Sequence, residues 1–407
     1  MSTIKKDKQY YKFCLYGFLK NLRFFDAFFI LFLLDKNLSY TQIGSLYAVR
    51  ELTVNIFEVP SGLIADTYGR KKALMGSFLS YILSFYIFYS SGNYWVFLGA
   101  FVVFGIGEAF RSGTHKGMIM DYLKLNNESH QKITYYGHTR SWSQKGSALS
   151  SLVAGFLVYY SGNYKSVFLL SSIPYFINLL LIYSYPNSLD KPKPQTQINS
   201  LSTTLKSFFE VIKQPKVLQL INTTALHSAY LKALKDYIQP LMLHVVLLIP
   251  LLMNETLQKK NGIIIGILYF FLFLLTSITS KNASKVSKLN LPYLTLIFGF
   301  SFGLLTGLFY QMDLWVMALL SMTGIFIIEN LRKPILTGYV ANHVPNELLT
   351  SVISTQSLLK TIITAVLAFG FGMIADRVSI GIAFISVSSI LLVVSLLLRL
   401  LSVNKTR

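Results

Sequence analysis

The sequence predicts an all-α membrane protein: twelve transmembrane helices in two pseudo-symmetric six-helix bundles. Three observations lead there. The chain has 407 residues, of which 53% are hydrophobic and only 13% charged, against about 25% charged in soluble domains. Apolar stretches follow one another from end to end, many near the roughly 20 residues that cross a bilayer. Charged residues inside those stretches recur half a chain later.

Twelve spans are read at about 10–34, 41–64, 73–91, 94–121, 135–160, 164–184, 217–250, 262–280, 291–311, 314–341, 349–375 and 379–402. Most turns between them are short. The exception, 185–216, is polar, basic and Pro-bearing. It divides the chain into an N-terminal half (1–184), a cytoplasmic linker (185–216) and a C-terminal half (217–407). Within the linker, 201–213 is expected to form a short amphipathic helix on the membrane surface.

Orientation follows from the basic residues. Lys5, Lys6, Lys8, Arg70, Lys71, Lys72, the linker lysines, Lys281, Lys285, Lys288, Lys405 and Arg407 fall on one side. The other side holds Lys36, Lys165, Lys259, Lys260 and Arg377. The positive-inside rule then puts both termini in the cytoplasm. An integral multi-pass protein of a bacterial plasma (inner) membrane is expected, and the polar start "MSTIKKDKQYYKF" is read as uncleaved. The net charge of +20 is accounted for by these loop lysines, so no nucleic-acid partner is expected. Cys14, the one cysteine, excludes an internal disulfide and a Cys-based metal site. No metal and no cofactor are expected.

The buried charges are the informative part. "FLKNLRFFD" sets Lys20, Arg23 and Asp26 deep in span 1, and "YLKALKDYI" sets Lys232, Lys235 and Asp236 in span 7, 212 residues on. "EAFRSGTHKG" in span 4 (Glu108, Arg111, Gly117) matches "ENLRKPILTG" in span 10 (Glu329, Arg332, Gly338), 221 residues on. Gly155 in span 5 aligns with Gly372 in span 11, at offset 217. Lys20 and Arg23 share a helix face, as do Lys232 and Lys235, with Gln239 one turn further. Each Glu-Arg couple is either an internal ion pair or a partner for the lysines of spans 1 and 7. A charge at the bilayer centre costs about 2.5–3.5 kcal/mol. Six cations and four anions kept at such positions mark a pathway, and their duplication is how many secondary transporters are built.

The loop between spans 2 and 3 reads "SGLIADTYGRKKAL". Here the sequence resembles the major facilitator superfamily, whose signature at this loop is a Gly, an Asp four residues on, then Gly-Arg and further basic residues. Gly62, Asp66, Gly69, Arg70, Lys71 and Lys72 fit it. The resemblance implies that this loop latches a cytoplasmic gate, with Gly62 letting two helices approach. It also implies that helices 1, 4, 7 and 10 line a central cavity, and these carry all the repeated charges. The second-half loop, "TSITSKNASKVSKL", lacks the Asp and the glycines, and span 5 lacks the Pro of drug-antiporter motifs.

Together these features imply a monomeric secondary active transporter in the lipid bilayer. It would move a small, anionic organic solute by alternating access, with protons as coupling ion. Lys20, Arg23, Asp26, Glu108, Arg111, Lys232, Lys235, Gln239, Glu329 and Arg332 would bind and couple, and Gly62, Asp66, Gly69, Arg70 and Lys71 would gate. Glu108 or Glu329 would take the proton. The alternative is a broad-specificity drug or metabolite exporter of the same fold, which six mid-span cations disfavour for cationic drugs. Arg140 and Trp142 are read as interface anchors, and the role of Arg50 and Glu51 is open. An enzyme is not expected. The Gly299-x-Ser301-x-Gly303 match lies inside span 9 rather than on a strand-to-helix turn, so it reads as small-residue helix packing.

Overall fold

In lipid every backbone amide must find its partner within the protein, which leaves helices as the natural form for apolar spans. The computed structural model describes residues 6–128, 131–190, 215–252, 254–287, 292–343 and 346–404, and every regular element among them is helical. The linker residues 191–214, which include the expected surface helix 201–213, lie outside the described residues, as do Lys288 and the chain ends 1–5 and 405–407.

Fifteen α-helices are described. They are α1 (Lys8–Lys20), α2 (Phe29–Asp35), α3 (Tyr40–Tyr68), α4 (Arg70–Ser90), α5 (Tyr94–Arg111), α6 (Thr114–Leu125), α7 (Lys132–Ser161) and α8 (Ser166–Tyr183), followed by α9 (Pro215–Leu234), α10 (Ile238–Leu248), α11 (Leu257–Ser287), α12 (Pro292–Gln311), α13 (Trp315–His343), α14 (Asn346–Arg377) and α15 (Ile380–Asn404). Eight helical stretches are long and apolar enough to cross a membrane, those of spans 3, 4, 6 and 8–12. Spans 1, 2, 5 and 7 are helical too, but they carry the charges or breaks that lower their apolar content.

Spans 1, 4 and 7 are each two helices, and each break falls at the predicted charges. α1 ends at Lys20, and residues 21–28 continue in tight turns, Asn21 N–H bonding Phe18 O at 3.1 Å and Asp26 N–H bonding Arg23 O at 3.0 Å. The freed backbone groups find side chains on α8. Ser171 Oγ accepts the Phe24 amide at 3.1 Å, and the Tyr175 hydroxyl donates to the Lys20 carbonyl at 3.1 Å. The aromatic run beyond the break seats in a phenylalanine core, Phe25 stacking on Phe168 and Phe29 on Phe101. Span 4 breaks at Gly113, whose φ of +74° suits a residue without a Cβ. Span 7 breaks through a 3-10 turn, Lys235–Tyr237. Pro240 lies in the first turn of α10, where a missing amide costs nothing.

The described chain packs as two compact units. One comprises Met1–Phe32, Thr53–Ile198 and Leu251–Phe273; the other Leu33–Leu52, Asn199–Pro250 and Leu274–Arg407. Each contains a crossing at which a repeated glycine lets two backbones approach. In the first, a Cβ on Gly155 of α7 would sit 2.7 Å from the Gly262 carbonyl of α11. In the second, a Cβ on Gly372 of α14 would meet the Tyr40 carbonyl and the Gly44 Cα of α3. Gly155 and Gly372 are the glycines that the repeat aligned, and they do the same work in each unit.

Candidate functional site

In the first unit the two helix breaks open onto a cavity of about 320 Å³. Four cations line it: Lys20 at the end of α1, Arg111 at the end of α5, Lys116 in the first turn of α6 and Arg140 on α7. Asn21, Thr139, Ser143 and Gln144 add neutral hydrogen-bonding groups, and His115, stacked on Tyr16 at 3.5 Å, adds an aromatic wall. Among the described residues that line it, none is a carboxylate. So basic a lining favours an anion over a cation. Arg111 is steadied by the Tyr81 hydroxyl at 3.1 Å and by Glu108 at 3.5 Å, so the predicted Glu108–Arg111 pair forms.

Arg23 and Asp26 stand apart from this cavity. They line a crevice of about 20 Å³ with Ser147 and Ser150, and Arg23 Nε donates to the Tyr175 hydroxyl at 3.0 Å. Arg140, expected as an interface anchor, is exposed and also lines the cavity.

The second unit uses its repeated charges differently. Glu329 Oε2 takes His227 Nδ1 at 2.8 Å and its Oε1 accepts the Ser228 hydroxyl at 2.5 Å. Arg332, fully buried, donates to the Thr295 hydroxyl at 2.7 Å and to the Thr223 carbonyl. Lys232 pairs with Glu51 of α3 at 2.6 Å, and Glu51 also takes Arg50 at 3.1 Å. The open question of Arg50 and Glu51 is thereby answered: a fully buried carboxylate holds two cations. Lys235 pairs with Asp236 at 3.1 Å, and Gln239 is fully buried on α10. Gly299 and Gly303 on α12 leave the space that the His227 ring and the Tyr230 hydroxyl occupy, which is the packing role expected of that motif.

The loop between spans 2 and 3 is tied down within its unit. Arg70 bonds Asp121 of α6 at 2.7 Å and Asp66 at 3.4 Å, its guanidinium lying over Gly117. Gly69 has φ +107°, and the Lys71 amide donates to Asp190 at 2.8 Å. Gly62 departs from expectation. Among the described residues, none comes within 4 Å of the position its Cβ would take.

His227, Lys116 and Glu51 complete these sites and were not expected in them. His227 has no periodic signal in the sequence, since its partner lies 102 residues away. The faint trace is the glycine pair of α12, which makes room for it.

Broken helices, buried charges and a cation-lined cavity define a polytopic membrane transporter rather than an enzyme. The Major Facilitator Superfamily model matches residues 16–368, and the chain belongs to that family. A Bacillus subtilis (strain 168) protein, the uncharacterized MFS-type transporter YxaM, is 23% identical over 91% of this chain and 89% of its own length. Among solved structures, the nucleoside transporter NupG superposes with TM-score 0.76 at 13% identity, over 96% of this chain and 99% of that one. A D-xylose-proton symporter superposes with TM-score 0.71 at 14% identity, over 96% of each chain.

Proposed function

We propose that the protein carries a small anionic organic solute across a bacterial inner membrane by alternating access, coupled to protons. The observation that carries this is the cavity lined by Lys20, Arg111, Lys116 and Arg140, with no acid among its described lining residues. An anion entering it replaces lost hydration with charge-assisted hydrogen bonds. The discontinuous helices point the same way, because half-helix ends at mid-membrane are where secondary transporters hold charged substrates. The protein acts as a monomer of twelve spans with both termini cytoplasmic. The halves 1–184 and 217–407, joined by 185–216, are its moving bodies, and the Asp66–Arg70 loop is their cytoplasmic latch. Proton coupling rests on the buried carboxylates, and a structural neighbour named as a proton symporter is in keeping with it.

A thermal-shift screen of purified protein against organic acids, phosphate esters and siderophores tests this. An anion is expected to raise the melting temperature, and Lys20→Ala or Arg111→Ala to weaken its binding about 10-fold to 100-fold, the loss of one hydrogen bond to a charged group. Stabilisation by cationic amphiphiles instead of anions would establish the drug-exporter alternative.

A further inference from the structure

We infer that His227 and Glu329 together form the proton-binding site of the second unit, which rests on the proton coupling proposed above and names the residues that serve it. The pair is closed off: the His227 side chain is 0% and the Glu329 side chain 4% exposed, with Nδ1 and Oε2 2.8 Å apart. The Ser228 hydroxyl holds the other carboxylate oxygen at 2.5 Å. Glu108, the alternative carrier, has a guanidinium for its partner. Glu329 has an imidazole, the one side chain that ordinarily gains and loses a proton near neutral pH. A carboxylate bonded to a fixed cation has little to exchange; one bonded to a second titrating group can share a proton with it.

Other groups face the pair. Arg332, one turn along α13, lies within the field of Glu329 and is held by Thr295 and the Thr223 carbonyl. Tyr230 stands with its ring centroid 6.1 Å from that of His227 and bonds Ser388 of α15. Lys232, one turn on from Ser228, is engaged by Glu51. α12 presents Gly299 and Phe300, neither of which titrates. Gly299 is a built feature of the site, because any larger residue there would displace the Nε2 edge of the ring.

The proton count is simple. Unloaded, the Glu329 carboxylate accepts Nδ1–H of neutral His227 and the Ser228 hydroxyl, and the pair carries one negative charge beside Arg332. Loaded, one added proton makes the pair neutral, whether that proton rests on the ring or on the carboxyl group. No other bond changes.

The test is a nitrogen-15 NMR titration of the full-length protein in lipid, with labelled histidine. The chain has six histidines, and the ring signals absent from His227→Asn identify this one. His227 is expected to titrate between about pH 5 and 8. Glu329→Gln should lower its midpoint by about 1–3 pH units, the usual effect of a carboxylate partner. Ser228→Ala keeps both titrating groups and should raise the midpoint, because the carboxylate loses a donor. A His227 ring whose nitrogen signals do not move across that range overturns the assignment, as does a midpoint that neither substitution moves. No solute is present, so a failed solute screen leaves this result standing and a flat titration leaves the anion cavity untouched.

Discussion

Glu108-Arg111 and Glu329-Arg332 have the same spacing, 221 residues apart, yet they are built into different things. In the first unit the two residues bond each other, and each side chain is 19% exposed beside the cavity of about 320 Å³. In the second, Glu329 turns to His227 and Ser228 while Arg332 is buried against threonine and backbone oxygens. Duplication preserves where a charge lies along a helix. It does not preserve the partner, because that is set by residues on other helices. Where a cavity admits water, a cation stays available to a ligand. Where packing excludes water, each charge must be consumed internally.

The difference is measurable as stability. Arg332→Ala empties a fully buried site and leaves the Thr223 carbonyl without this donor, and a loss of about 3–5 kcal/mol is expected, as for removing a large buried side chain. Arg111→Ala should cost about 1 kcal/mol or less, since that pair is partly solvated, while it damages anion binding. Thermal melting of both variants in detergent decides it. Equal losses would mean that the two Glu-Arg couples are energetically alike, and the contrast drawn here would be lost.

The glycine crossings sharpen the comparison from the other side, since there the units agree. Gly155→Ala and Gly372→Ala each force a methyl group against a backbone carbonyl of the facing helix, and each should cost about 1–3 kcal/mol. Gly62→Ala is the control. With open space at that Cβ position, it should be neutral or stabilise by up to about 1 kcal/mol through helix propensity. A large loss at Gly62, or a tenfold disparity in unfolding equilibrium between Gly155 and Gly372, would show that the crossings are not equivalent.

These sites also mark how far sequence reaches. The helical class, the family and the duplicated charges were legible because each is a pattern along the chain: hydropathy, a contiguous loop signature, a fixed offset. Lys20 and Arg111 were found for that reason. Arg140 was read as an interface anchor from its place near the start of span 5, and its part in the cavity lining depends on how α7 packs, which no spacing encodes. Glu51 and His227 were out of reach because their roles come from Lys232 and Glu329, 181 and 102 residues away. Gly62 fits the loop signature, yet whether a helix lies over it depends on packing that no spacing encodes.

The smallest effect expected lies at the carboxylates beside the two glycine crossings. Glu255, just before α11, accepts hydrogen bonds from Lys259 at 3.0 Å and from the Tyr159 hydroxyl of α7 at 3.1 Å. The hydrogen bond from Lys259, with that from Tyr159, holds its carboxyl below the ordinary glutamate value of 4.5. In the second unit Asp376, at the end of α14, accepts the Tyr40 and Thr41 amides at 2.7 and 2.6 Å and so caps α3. A carboxyl with a lowered folded-state value favours the folded state above its unfolded value, and the contribution fades as pH falls through the folded value. For Glu255 that window begins near pH 4.5 and extends below it. Glu255→Gln should therefore flatten the acid limb of a melting-temperature profile and leave the neutral plateau almost unmoved. Asp376→Asn should lower the plateau itself, by about 1 kcal/mol, because an amide caps a helix less well in a site shaped for two donors. If Glu255→Gln lowers the plateau as much as Asp376→Asn does, the first crossing is held by its carboxylate as firmly as the second, and the asymmetry between the units stops at the Glu-Arg couples.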